Sequence, residues 1–213
     1  MIVKYPNKCL VTPCEPVKPE EFAPIGSAPN DLLFLISRMK TVCDLEKGVG
    51  LAANQIGVNK QVFVMNRGNP QTEFLIDQFI NPEIIEYGDK LVVDNEACLS
   101  LPGLKIGKER DTYVVLKWQD TEGLWHEEGF KDLQAICIQH EVDHLNGKTI
   151  ICDFGPLKRK MIVEKLKKVA KKNERVGKKR YRLEMNMDAM EEALAEAEAE
   201  LNEETLSALN KEK

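Results

Sequence analysis

Histidine is scarce in this chain: three in 213 residues, at His126, His140 and His144. No stretch approaches the roughly 18 consecutive apolar residues that a membrane-spanning helix requires, which excludes that class of protein. The opening MIVKYPNKCL puts Lys4 and Pro6 where a secretion signal needs an unbroken apolar core, and no Asn-x-Ser/Thr acceptor occurs anywhere. A cytoplasmic protein is therefore expected. In a reducing compartment its six cysteines (Cys9, Cys14, Cys43, Cys98, Cys137 and Cys152) are expected as thiols, most of them buried as small hydrophobes. Any that stands apart has to be a ligand or a nucleophile.

What is present is the composition of a globular protein, 43% apolar and 31% charged, long enough for one domain and an appendage. The net charge of −5 is unevenly spread. Residues 158–182 carry 13 Lys and Arg against Glu164 and Glu174, whereas residues 183–213 carry 10 Asp and Glu against Lys211 and Lys213. The chain thus ends in a basic block followed by an acidic one.

Pro6, Pro13, Pro16, Pro19 and Pro24 keep the first 30 residues extended or looped, because proline removes a donor and restricts its predecessor. Asp31 then caps a predicted helix running to Leu45, with Leu32, Leu35, Ile36, Met39 and Val42 or Cys43 at helical spacing. From Gln61 to Trp125 the pattern is mostly strand (QVFVMN, EFLIDQFINP, EIIEYG, DTYVVLKW), with turns at Asn66–Gly68, Tyr87–Asp89 and Glu122–Gly123. A second helix is predicted over Leu133–Leu145, capped by Asp132 and stopped by Gly147. Pro156 opens a third, whose apolar face is Leu157, Met161, Ile162, Leu166 and Val169. This order implies an α+β fold, antiparallel or mixed sheets packed around a central helix, with a C-terminal helix. Residues 173–213 read as a charged helical or solvated extension whose leucines are too sparse for a heptad seam.

Two of the three histidines fall in QHEVDHLNG, residues 139–147. Positions i and i+4 share one face of a helix, so His140 and His144 can aim two imidazole nitrogens at one point. Chance would place His-Glu-x-x-His in fewer than about one in a hundred chains with so few histidines. Glu141 lies about 100° round the helix, near such a metal without being held by it, which suits a proton shuttle. A catalytic ion keeps three protein ligands and an open position, while a structural zinc is closed by four. Spacing leaves the third ligand open among Cys98, Cys152 and His126, and Cys137, one turn before the pair, reads as a core residue. A zincin-type endopeptidase shares the motif, but its third ligand lies downstream, where this chain offers acids and Cys152.

The glycine-rich GVGLAANQIG, residues 48–57, fails as a nucleotide loop because it follows a helix and lacks the Gly-Lys-Ser/Thr ending. Glycine here allows close backbone approach, and Gln55, polar among small apolar residues, needs a partner or a substrate oxygen.

Taken together, GVGLAANQIG, EACLSLPG and QHEVDHLNG, in this order, resemble the three signature motifs of peptide deformylases, a likeness covering residues 1–172. The resemblance implies a hydrolase that removes the N-terminal formyl group from the formylmethionine of nascent polypeptides. It implies Cys98, His140 and His144 as ligands of one ion, Fe²⁺ in the first place, with Ni²⁺, Co²⁺ or Zn²⁺ able to replace it. Glu141 would move the proton, and the Gln55 amide and Leu99 N–H would stabilise the oxyanion. Gly50 would pair with an extended peptide, while Val49, Leu133, Ile136 and Cys137 would help to line a methionine pocket. Two positions depart from the family pattern: Ala97 stands where glycine is usual, and Lys105 where many members carry an arginine, whose bidentate fork a lysine lacks. Glu96 and Arg110 match family positions and are expected to pair; Asp143 is expected to support the helix, not to bind the ion.

In bacterial relatives a basic C-terminal helix docks on the ribosome, and residues 156–172 resemble one. The basic block should bind a polyanion through counterion release, with the acidic end screening it. A chain ending at Arg182 should therefore bind RNA more tightly than the full-length chain, with an affinity that falls steeply with salt; equal, salt-independent binding would dispose of the idea.

Overall fold

A computed structural model of the chain describes residues 2–22, 31–68, 75–169 and 171. Residues Met1–Leu166 group into one unit and Lys167–Lys213 into another. The expected extension over 173–213 lies outside the described residues.

Helix α1, Asp31–Leu45, buries Leu32, Ile36, Met39 and Cys43, the stripe read from its spacing. Strands β1 (Gly50–Ala52), β2 (Val62–Asn66), β3 (Ile76–Tyr87), β6 (Tyr113–Gln119) and β7 (Trp125–Lys131) form one antiparallel sheet in the order β1-β2-β3-β6-β7. Strands β4 (Lys90–Ala97) and β5 (Lys105–Asp111) form a separate antiparallel pair. Helix α2, Asp132–Leu145, packs against β1, β2, β5 and β7. A third helix, α3, spans 156–169. The fold is α+β, as the element order implies.

Val62 to Asn66 are all buried, as a strand covered on both faces requires. On one side Val62 and Val64 pack with α1 residues Ile36 and Met39; on the other Phe63 and Met65 pack with Phe79, Phe130 and Ile138. The rings of Phe63 and Phe79 stack at 4.6 Å.

Four sequence expectations differ in detail. EFLIDQFINP and EIIEYG are one strand, β3, because Asn81 takes a left-handed φ of 49° and the register shifts between Ile80 and Glu83, so Pro82 sits where no ladder donor is needed. Strand β7 was not expected; of WHEEGFK only Phe130 is buried, so this edge strand shows no alternation. Asp132 is not an N-cap: β7 runs into α2 without a loop, Asp132 adopts φ 53°, and its N–H donates to the Thr112 carbonyl at 2.9 Å. Finally, α3 buries Ile162 and Leu166 against Leu101 and Ile151 but leaves Leu157 and Met161 exposed, because those two lie more than about 100° round the helix from the seam.

Gly147 ends α2. Its φ is 69°, its N–H donates to the His144 carbonyl at 3.0 Å, and an added Cβ would meet the backbone of Thr12 and Pro13 at 2.9 Å. Only glycine fits both constraints. Gly147→Ala is expected to destabilise the fold by roughly 1–3 kcal/mol, the range for a strained backbone site, read as a lower thermal midpoint; an unchanged midpoint would show that the chain can move away from Thr12.

Candidate active site

Three separated stretches supply the site. Cys98 follows β4 directly, in a turn closed by the Leu101 N–H on the Cys98 carbonyl. His140, Glu141 and His144 lie on the buried side of α2. Gln55 lies in the 3₁₀ turn Ala53–Ile56 that follows β1.

The Cys98 sulfur and one ring nitrogen each from His140 and His144 all lie within 4.8 Å of one another, and all three residues are buried. Sγ of Cys98 is 3.1 Å from Nε2 of His144. Of the other ligands the spacing allowed, neither joins the group. His126 is exposed on β7, bonded to Asp120 at 2.6 Å and stacked on Trp118, and the Cys152 thiol is turned to the Asp153 carboxylate. Among the described residues no fourth His, Cys, Asp or Glu completes the cluster, so the arrangement is that of an open site.

The donors also have the chemistry of a metal centre. Nδ1 of His140 is bonded to Oε1 of Glu96 at 2.7 Å, which fixes the ring and leaves Nε2 facing the cluster. Burial would lower the pKa of His140, but Cys98 and Glu96 raise it to about 10, a proton that a bound cation must displace. Burial, with the charges of His140 and Arg110, holds His144 well below the ordinary histidine range as a neutral imidazole. Burial works against the Glu96 carboxylate, yet Arg110 and His140 hold it down at about 2. Arg110 grips it with Nε and Nη2 at 2.9 and 2.7 Å, the expected pair. The third guanidinium nitrogen binds Asp143 at 2.7 Å, and Lys108 approaches the same Asp143 oxygen at 3.3 Å.

Gln55 is buried and its amide orientation is fixed. Its Oε1 accepts from the Ala52 N–H at 2.8 Å, so Nε2 must point the other way, toward Ser100 Oγ at 3.3 Å and the Cys98 sulfur at 3.6 Å. Glu141 is buried with Oε2 unbonded. Burial pushes its carboxyl up to about 7, with His140 opposing. Gly50 makes room for it: a Cβ there would lie 2.7 Å from Glu141 Oε1 and 2.6 Å from the Cys137 sulfur.

A family model described as polypeptide deformylase matches residues 1–160. The chain belongs to that family. The peptide deformylase of Erythrobacter litoralis is 34% identical over 191 residues, 79% of this chain and 95% of that protein. That of Zymomonas mobilis is 40% identical over 149 residues, 68% of this chain and 84% of its own length. A crystal structure of a peptide deformylase from Legionella pneumophila superposes with a TM-score of 0.71 at 32% identity, covering 82% of this chain and 97% of that one. The deformylase resemblance carried by the three motifs therefore holds, and with it the activity: a hydrolase that removes the N-terminal formyl group from nascent polypeptides. Family and cluster together point to one metal ion.

A cavity of about 550 Å³ opens over the cluster. Val49, Gly50, Leu133, Ile136 and Cys137, which the deformylase resemblance put at the substrate, all line it, together with Gln55, Leu99 and Glu141. Ala97 lines it too; Lys105, which pairs with Ala97 across β4 and β5, does not. Sequence reasoning missed Asn54, whose Nδ2 donates to the His144 carbonyl at 2.6 Å, although it is as polar amid LAANQIG as Gln55 is. It also missed Ser100 and Lys4.

Glu96→Ala should leave the buried Arg110 with Asp143 as its one remaining partner and two guanidinium nitrogens unbonded, destabilising by about 3–5 kcal/mol, and should weaken metal binding about 10–100-fold. Because the folded carboxyl sits near 2, below its ordinary 4.5, the stability it contributes is present above about pH 4.5 and lost as pH falls toward 2. Acid titration of the wild type and of Glu96→Gln tests this: the variant's curve should be flatter over that window, and parallel curves would refute it.

Proposed function

We propose that Cys98, His140 and His144 hold a single divalent ion, Fe²⁺ in the cell with Ni²⁺, Co²⁺ or Zn²⁺ able to replace it, and that the cavity above them binds the N-formylmethionyl end of a nascent chain. The observation that carries this reading is the grouping of one sulfur and two imidazole nitrogens, buried at the floor of an open cavity and lacking a fourth protein ligand among the described residues. A divalent ion held there supplies the Lewis acidity that makes water nucleophilic near neutral pH.

The surrounding residues do the rest. Glu141, unbonded at Oε2 and with a carboxyl near 7, takes a proton from the attacking water and passes it to the leaving amine. The amide Nε2 of Gln55 is preset as a donor by the Ala52 N–H, so it meets a developing oxyanion without reorganising. The Leu99 N–H, which donates to no described residue, is the second donor. Each such donor is worth roughly 2.7–4 kcal/mol in a water-excluded site. Val49, Leu133, Ile136 and Cys137 offer an apolar wall to a methionine side chain, and Gly50 leaves its backbone free for an extended peptide. Residues 1–172 then form the catalytic domain, acting in the cytoplasm, and the basic helix that begins at 156 carries it to the ribosome.

Protein loaded with Fe²⁺ under anaerobic conditions should release formate from a formyl-Met peptide and leave an ordinary peptide intact. Cleavage of the ordinary peptide would replace this reading with an endopeptidase. Glu141→Gln should lower kcat by about 10²–10⁴, the usual weight of a positioned acid–base group, without loss of metal; near-wild-type turnover would remove Glu141 from the proton path.

A further inference from the structure

The first described residues run past the site and tie together the two stretches that carry the oxyanion donors. The Val3 N–H donates to the Gln55 carbonyl at 2.7 Å, and the Tyr5 N–H to the Ser100 carbonyl at 3.0 Å. Between them, the Lys4 ammonium donates to the Leu99 carbonyl at 2.8 Å. Gln55 and Leu99, the two donor residues, are thus held through their own carbonyls by consecutive residues of one short segment. Two of the ties are backbone bonds that any side chain would preserve. The third depends on the lysine.

Lys4 is also the member of this segment that lines the active cavity, alongside Glu46, Gln55, Cys98 and Leu99. Partial burial lowers its pKa, with Glu46 and Cys98 opposing. Among the described residues no other side chain bonds the Leu99 carbonyl. The cysteine turn is held besides by the Leu101 N–H to Cys98 carbonyl bond, by Tyr5 on Ser100, and by the Gln55 amide on the side chains of Ser100 and Cys98. The Leu99 carbonyl lies in the Leu99–Ser100 peptide plane and the Leu99 N–H in the plane before it, which the Leu101 bond to the Cys98 carbonyl holds; the Lys4 bond fixes the second plane, and a rotation between the two would swing the N–H off the reacting carbonyl.

We propose that Lys4 is a positioning residue for deformylation: by anchoring the Leu99 carbonyl, its ammonium fixes the cysteine turn so that the Leu99 N–H stays aimed into the cavity, at a set distance from the Gln55 amide. The inference rests on the reading above, in which these two groups stabilise the oxyanion. An interaction that orients a transition-state donor acts on kcat and leaves substrate binding alone.

The test compares wild type, Lys4→Met and Lys4→Arg as full-length, metal-loaded protein on a formyl-Met peptide, with metal content and thermal midpoint measured beside the kinetics. Lys4→Met should lower kcat about 10-fold, less than the 10²–10³ that loss of a whole donor causes, with KM within about 2-fold. Metal content should be unchanged and the midpoint should stay within about 2 °C, as for a change away from the packed core. Lys4→Arg keeps a donor and should restore most of the rate. Lys4→Met at full rate would overturn the inference while leaving the proposed function intact; so would a loss of rate that follows metal content or thermal midpoint and that arginine does not repair. A wild type that releases no formate would overturn the reading of the site, and this inference with it.

Discussion

The Glu96 carboxylate lies beneath the His140 ring with the Arg110 fork on its other side, and this buried contact joins β4, β5 and α2 at one point. Taking a carboxylate and a guanidinium out of water costs several kcal/mol per ion, which their attraction offsets only when the remaining polar atoms are also satisfied. Here they are: both Glu96 oxygens accept from Arg110, one accepts from His140 as well, and the free guanidinium nitrogen is taken by Asp143, itself shared with Lys108. The signs alternate along the row, so no charge is left alone. Stability is a poor explanation for such an arrangement, since an apolar replacement often does as well. Its effect is geometric. A ring fixed at Nδ1 has one rotation and one tautomer left, and those present Nε2 to the cluster.

How far the sequence disclosed this differs from residue to residue. His140 and His144 were legible because helical periodicity is a local property: four residues along α2 is one face, whatever else the chain does. Cys98 was not, because it reaches the pair from the end of another strand, and no spacing rule measures distance between elements. Only the resemblance of three motifs chose it over Cys152 and His126. The core stripe of α1 was legible for the same local reason, whereas β7 was hidden because it is polar on its exposed edge, and half of the apolar face of α3 proved to be solvent-facing. The orientation of Gln55 lay outside any sequence argument, since it depends on a bond to Ala52 that exists only once the 3₁₀ turn has closed.

Small residues around the cavity show how tightly the chemistry is packed. Gly50 has no space for a Cβ because Glu141 and Cys137 occupy it, so the strand β1 is also the wall that confines the Glu141 side chain. The same closeness keeps water away from Glu141, and that burial raises its carboxyl to about 7. A larger residue at position 50 would therefore change two properties at once, the room in the cavity and the affinity of the Glu141 carboxyl for a proton. Ala97 is the milder case: it is exposed at the rim of a cavity of about 550 Å³, so a methyl there crowds no buried neighbour.

The proline-rich start of the chain completes the picture from its other end. A segment with Pro6, Pro13 and Pro16 forms no long regular element, so the N–H groups that remain must find partners elsewhere. They find them on the motif stretches: Val3 on Gln55, Tyr5 on Ser100, and Cys14 on Leu145 at the end of α2. Asn54 bonds back to Cys9 and on to His144. The stretches bearing the glutamine, the cysteine and the histidines are thus each bonded to the same 15 or so residues, which lie far from all of them in sequence. What reads as a featureless segment is thus a common attachment for all three motif stretches, added to the direct bonds between them: Gln55 on Ser100 and Cys98, Asn54 on the His144 carbonyl, and His140 on Glu96.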